Sequence, residues 1–147
     1  MILRDQAQFE LARRLRSKSG APIADVFTFL SGLYFRGKIA YATAFARPPR
    51  GTRGVLVITP TRGLTDARTR IRLDDLREFA EVDIHEDDPR YRLPIECDAR
   101  RLATKLPAQG EVILLGRELS YIPVAGAIVN GKRPPKLAPR RCAVGLR

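Results

Sequence analysis

The chain has 147 residues and carries 27 Lys and Arg against 16 Asp and Glu, a formal charge of +11; such an excess attracts phosphate backbones or other polyanions. The length suits one domain that buries a core without staples, no run of about 18 apolar residues is present to span a membrane, and Met1-Ile2-Leu3-Arg4-Asp5 lacks the apolar run of a secretory signal. Cys97 and Cys142 belong to no CxxC or Cys/His cluster, so free thiols, no metal site and a cytoplasmic setting are expected.

Asp5 can cap a first helix reaching about Ser17, with Phe9, Leu11, Ala12 and Leu15 as its apolar positions and Gly20 beyond its end. Pro22 suits the first turn of a second helix, in which Ile23, Val26, Phe27 and Leu30 follow the i, i+3, i+4, i+7 spacing. Ser31-Gly32 breaks that pattern. A third helical stretch runs from about Arg36 to Ala46 and stops before Pro48-Pro49. Val55-Leu56-Val57-Ile58 is a short β-branched and apolar run suited to a strand buried on both faces, and Pro60 and Gly63 end it in a loop.

A short helix from Asp74 or Asp75 through Ala80 would pack Leu76 and Phe79, a charged connection covers residues 83–92, and Pro94 opens a helix to about Leu106. Val112-Ile113-Leu114-Leu115 is a second buried-type strand, ended by Gly116. Residues 121–129 are apolar again, with Pro123 favouring an edge strand or a bend. From Asn130 onward Gly, Pro and basic residues predict a loose tail. Strand, helix, strand with buried-type runs implies an α/β fold with a small, mainly parallel sheet flanked by helices. One domain is expected over residues 1–129 and a basic, Pro-rich tail over 130–147.

The charge is unevenly spread. Residues 74–98 hold ten acidic side chains against Arg77, Arg90 and Arg92, a local balance of −7, so the remainder carries +18. The last sixteen residues hold six basic side chains and no acidic one. There is no GxGxxG after a strand, no P-loop, no HExxH and no GxSxG, and His85 is the only histidine. A histidine-rich metal site is thereby excluded, as is a Ser-His-Asp triad elsewhere. The acidic run around His85 reads as a solvated loop, since its spacing does not make a calcium loop.

Two segments carry the candidate chemistry. Ile58-Thr59-Pro60-Thr61-Arg62-Gly63-Leu64 follows the first strand, and in open α/β sheets ligands collect beyond the carboxyl ends of strands. The hydroxyls of Thr59 and Thr61 and the fork of Arg62 suit a phosphate or carboxylate, and Gly63 lets a ligand approach the backbone. Equally, both hydroxyls can bond the local backbone of an ordinary loop. Gly116 shares this rim if the two strands are parallel neighbours. The second segment, Ser31-Gly32-Leu33-Tyr34-Phe35-Arg36-Gly37-Lys38-Ile39-Ala40-Tyr41, sets Arg36 and Lys38 beside two tyrosines at a helix start. Free N–H groups there favour anions, and Tyr34 can stack on a base. Leu33, Phe35 and Ile39 can equally belong to the core.

At these two segments the chain resembles the DUF6884-like domains, a bacterial family of unknown function. Ser31-Gly32-Leu33-Tyr34 is similar to that family's Ala-x-Asp-Leu-Tyr-type element near a helix. The run from Ile58 to Leu64 is similar to its later strand ending in Ser-Ala-x-x-Gly-Leu, and the similarity continues through residues 66–73. A fainter similarity reaches the YaaA peroxide-stress family. The resemblance covers residues 25–80; the family's N-terminal strand with a Cys-Gly pair is replaced here by the basic helix, and Pro60 stands where a small residue is usual. It implies a Rossmann-like sheet and a nucleotide or nucleic-acid connection, and it carries no agreed activity.

The function expected is therefore binding of nucleic acid or another polyanion, with Tyr34, Arg36, Lys38, Thr59, Thr61, Arg62 and Gly63 as ligand contacts and no cofactor. The alternative is a small enzyme acting on a nucleotide-like or phosphorylated ligand at the strand rim, for which the sequence names no general base. A third reading pairs the acidic middle of one copy with the basic end of another.

Overall fold

Helical stripes and short β-branched runs account for most of the elements. The computed structural model describes Ile2, residues 7–118 and residues 140–146, with side chains described as far as Leu115. In chain order these are α1 (Glu10–Arg16), β1 (Ala21–Pro22), α2 (Ile23–Phe45), β2 (Val55–Thr59), β3 (Gly63–Asp66), β4 (Arg70–Ile71), α3 (Leu73–Ala80), α4 (Pro89–Ala103), β5 (Val112–Glu118) and β6 (Arg140–Leu146). The Asp5 cap, the apolar segment 121–129 and residues 130–139 lie outside the described residues. No helix among the described residues is long and apolar enough to cross a membrane.

Four strands form one sheet in the order β3-β2-β6-β5, and every neighbouring pair is antiparallel. β1 and β4 form a separate antiparallel pair. This overturns the mainly parallel, Rossmann-like sheet expected from the sequence and from the family resemblance, and two segments explain why. Pro60-Thr61-Arg62 is the three-residue turn of a β2–β3 hairpin, with Thr59 opposite Gly63, where the pattern predicts a strand-to-helix loop. So short a turn joins only antiparallel strands. Residues 140–146, expected to be part of a loose tail, are the strand β6 that separates β2 from β5. Because β2 and β5 are each antiparallel to β6, they run in the same direction without pairing.

Residues opposite each other in a ladder share a face. Leu56, Ile58, Leu64, Val112 and Leu114 therefore lie on one side, where Leu102 and Leu106 pack on them, as do Tyr91 and Ile95 of α4. Val55 and Val57 face the other way, into a core with Ala12 and Leu15 of α1, Ile23, Val26, Phe35 and Ile39 of α2, and Leu76 and Phe79 of α3. Ala143 and Gly145 of β6 take the register positions beside Val57 and Val55. Small residues at these positions suit the close passage of α2 over β6.

The break expected at Ser31-Gly32 is present. Gly32 has φ 65° and ψ −149°, so α2 is two helical pieces joined at a corner. A side chain is strongly disfavoured in that region, though nothing lies within 4 Å of where a Cβ would stand. The last helix starts earlier than Pro94. Asp88 caps it by accepting the Arg90 N–H at 2.9 Å, and Pro89 occupies its first turn, leaving Pro94 inside.

Two glycines should therefore respond differently to alanine. Gly63, with φ 58°, is strained by any side chain, and its Cβ would also fall 2.5 Å from Asp98 Oδ2 and 2.6 Å from the Pro94 carbonyl oxygen. We expect Gly32→Ala to cost about 1–2 kcal/mol and Gly63→Ala upwards of about 3 kcal/mol in urea denaturation; the reverse ranking would contradict the seating of β3 on α4. A chain ending at residue 139 lacks β6 and is expected to lose cooperative thermal unfolding by circular dichroism. An undiminished Tm in that chain would overturn the strand order.

Candidate functional site

The strand rim comes together as the sequence suggests, but its polar groups turn toward the protein's own helices. Thr59 is fully buried; its Oγ1 donates to the Gly63 carbonyl at 3.1 Å and accepts the Arg62 N–H at 3.0 Å. The Thr61 hydroxyl donates to Glu78 Oε1. The Arg62 guanidinium forks onto Asp75 Oδ1 at 2.6 Å and onto the Glu78 carboxylate, and lies 5.4 Å above the centre of the Phe79 ring. Gly63 serves the close approach of α4: the next N–H, that of Leu64, donates to Asp98 Oδ2 at 3.0 Å.

Electrostatics favour this clamp. The hydrogen bond that Arg62 donates to Glu78 raises the Arg62 pKa further above its ordinary range, against the cost of partial burial, and Asp75 adds to it. Arg62 and then Thr61 hold Glu78 below the usual carboxylate range. Burial works against ionisation of Asp75, but the Arg72 N–H and the Arg62 guanidinium outweigh it and lower its pKa. Asp75 and Glu78 lie thirteen and sixteen residues from Arg62, so no spacing in the sequence marked them as its partners.

A groove of about 420 Å³ opens beside this turn, lined by Ile2, Phe27, Phe29, Leu30, Pro60, Leu76, Phe79 and Ala80. All are apolar, so the groove has no acid or base of its own. Among the described residues no three His, Cys, Asp or Glu side chains gather as a metal ion requires. Cys97 is an exposed free thiol on α4.

The second segment has a different character. In the half of α2 beyond Gly32, Phe35, Ile39 and Ala42 turn to the core. One step around the helix, Tyr34, Lys38, Tyr41 and Phe45 recur at i, i+4, i+7 and i+11, which aligns them as a second stripe. Tyr34, Tyr41 and Phe45 are 56%, 42% and 50% exposed, and Leu33, which the sequence allowed in the core, is 74% exposed. Lys38 Nζ stands 4.3 Å over the Tyr34 ring, and the Tyr41 and Phe45 rings meet at 4.6 Å. Arg36 is exposed on the same turns. Tyr34 and Lys38 are thus together, whereas Arg36, two residues from each, stands on the other flank of the helix; the spacing that adds Tyr41 and Phe45 was readable in the sequence once the core stripe was known.

Charge reinforces the contrast. Between Asp25 and Asp66 there is no acidic residue, while Arg36, Lys38, Arg47, Arg50, Arg53 and Arg62 are basic. Arg62 is taken by α3 and Arg53 reaches Asp66 at 3.2 Å. Arg47 donates to the carbonyls of Ala44 and Ala46, where α2 ends and its dipole is negative. Arg36 and Arg50 are exposed. Many carboxylates of residues 74–98 are met by nearby arginines: Asp74 by Arg77, Asp88 by Arg90, Glu96 by Arg92 and Arg100, and Asp98 by Arg101.

The clamp gives a pH prediction. Both carboxylates titrate below their ordinary values of 3.8 and 4.5 in the folded chain, so their contribution is complete above that range and is lost as pH falls through the lowered values. Arg62→Gln is expected to cost about 1 kcal/mol at neutral pH, the modest figure appropriate to half-exposed partners, and to flatten the acid limb of the stability profile. An identical acid limb in both proteins, followed by urea denaturation, would exclude the clamp. Comparison with protein families, curated proteins and solved structures finds no match to this chain.

Proposed function

We propose that this chain binds nucleic acid, or a polyanion of similar charge density, through the exposed half of α2 and the basic connection that follows it. The observation that carries this reading is the acid-free stretch between Asp25 and Asp66, in which Arg36 is exposed and Lys38, half-buried, stands over the exposed Tyr34 ring. Phosphate contacts by such side chains release condensed counterions, which supplies sequence-independent affinity. The aromatic neighbours add area that a purely electrostatic patch lacks. A ligand at the strand rim is less favoured, because Thr59, Thr61 and Arg62 would have to leave their present bonds first.

A salt titration of oligonucleotide binding tests this. Observed affinity should fall with salt, and Arg36→Ala should reduce the slope of log K against log salt by about 0.7 to 0.9. Arg62→Gln should leave the slope unchanged, because that arginine already neutralises Asp75 and Glu78. No binding at low salt, or a slope unaffected by Arg36→Ala, would remove the α2 assignment.

A further inference from the structure

The exposed stripe on α2 points to a particular form of nucleic acid. Resting on the binding proposed above, we infer that the stripe Tyr34, Lys38, Tyr41 and Phe45 is a stacking platform for the bases of single strands, and that duplexes are poor ligands. Three observations on one helix face carry this. The rings of Tyr34, Tyr41 and Phe45 are about half exposed each, although in the adjacent stripe Ala42 is buried and Phe35 and Ile39, partly buried, pack against the core. They follow one line over eleven residues of helix, a length of about 16 Å. A cation sits within that line, Lys38 over Tyr34, and no carboxylate lies between Asp25 and Asp66.

Base and aromatic ring attract through their faces, and every base has a face, so such a platform is tolerant of sequence. In a duplex those faces are covered by neighbouring base pairs. What a duplex offers a helix is the edges of its bases, read by Arg, Lys, Asn and Gln. The α2 segment Ile23–Phe45 contains no Asn or Gln, and its exposed stripe would set rings against sugar and phosphate. The chemistry of the face therefore matches unpaired bases, with a phosphate of the same strand reaching Lys38, and Arg36 and Arg50 adding charge from outside the stripe.

The full-length chain should be titrated by fluorescence anisotropy, at one low salt concentration, with a mixed-sequence single strand, the corresponding duplex, and an abasic strand of equal length and charge. The intact single strand is expected to bind at least about tenfold tighter than either of the others, from a stacking contribution worth about 5- to 150-fold per ring. Tyr34→Ala and Tyr41→Ala should each lower affinity for the intact strand toward the abasic value, whereas Arg36→Ala should weaken all three probes alike. Equal binding of intact and abasic strands would overturn the stacking platform and leave the charge-based reading standing. Absence of binding to all three probes would overturn both. A dimer detected by light scattering and abolished by Tyr41→Ala would assign the stripe to self-association and overturn the platform. Should a ring variant fail to fold by circular dichroism, the abasic comparison on the unaltered protein still decides.

Discussion

The turn between β2 and β3 is held from two sides, and the arrangement of the helices depends on it. Arg62 forks onto Asp75 and Glu78 of α3 while its guanidinium covers Phe79. One residue later Gly63 brings the backbone against Pro94, and Asp98 accepts the Leu64 N–H. The two helices belong to opposite faces of the sheet, α3 to the core built on Val57 and α4 to the layer built on Leu56 and Ile58. A single hairpin turn thus fixes both layers relative to the sheet. Its charge-assisted bonds are stronger than neutral ones, and its glycine allows a separation that any side chain would widen. The same bonds consume the hydroxyls and the guanidinium that resemble a ligand site when the sequence is read alone.

With the rim engaged internally, the surface chemistry shifts to α2. That helix carries two stripes one step apart, and only one of them packs against the core. Burying an aromatic side chain is worth on the order of 2 kcal/mol, and the half-exposed rings beside the core-packed stripe are the area that the binding proposed above would cover. The cation over Tyr34 is a modest interaction, but it holds a positive charge against a half-exposed ring. Elsewhere on the chain, carboxylates and arginines meet each other locally along α3 and α4, whereas the stretch between Asp25 and Asp66 holds no acid at all.

The sheet shows where pattern reading reaches its limit. β2 and β5 do run in the same direction, and their apolar runs are what a parallel pair presents. A parallel pair and two strands separated by an antiparallel third give the same run of Val, Ile and Leu. The deciding strand is Arg140–Leu146, whose arginines, cysteine and glycine offer little alternation, and it lies far along the chain from β2. Helical pieces were easier. The corner at Gly32, the short α3 with Leu76 and Phe79 inside, and the core positions of α1 all follow from local periodicity and turn chemistry.

The sequence by itself determined the charge and its uneven spread, the absence of the familiar catalytic motifs, the break in α2, and the alignment of Tyr34 and Lys38 on one helix face. These depend on composition or on residues within a few positions of one another, where spacing maps directly onto a helix face. Only the tertiary structure decided strand direction and neighbours, because ladder hydrogen bonds join backbones whose side chains do not encode which strand will be adjacent. It also decided the fate of Arg62. Whether that guanidinium meets a ligand or a helix depends on Asp75 and Glu78, thirteen and sixteen residues away, and folding alone brings them within reach.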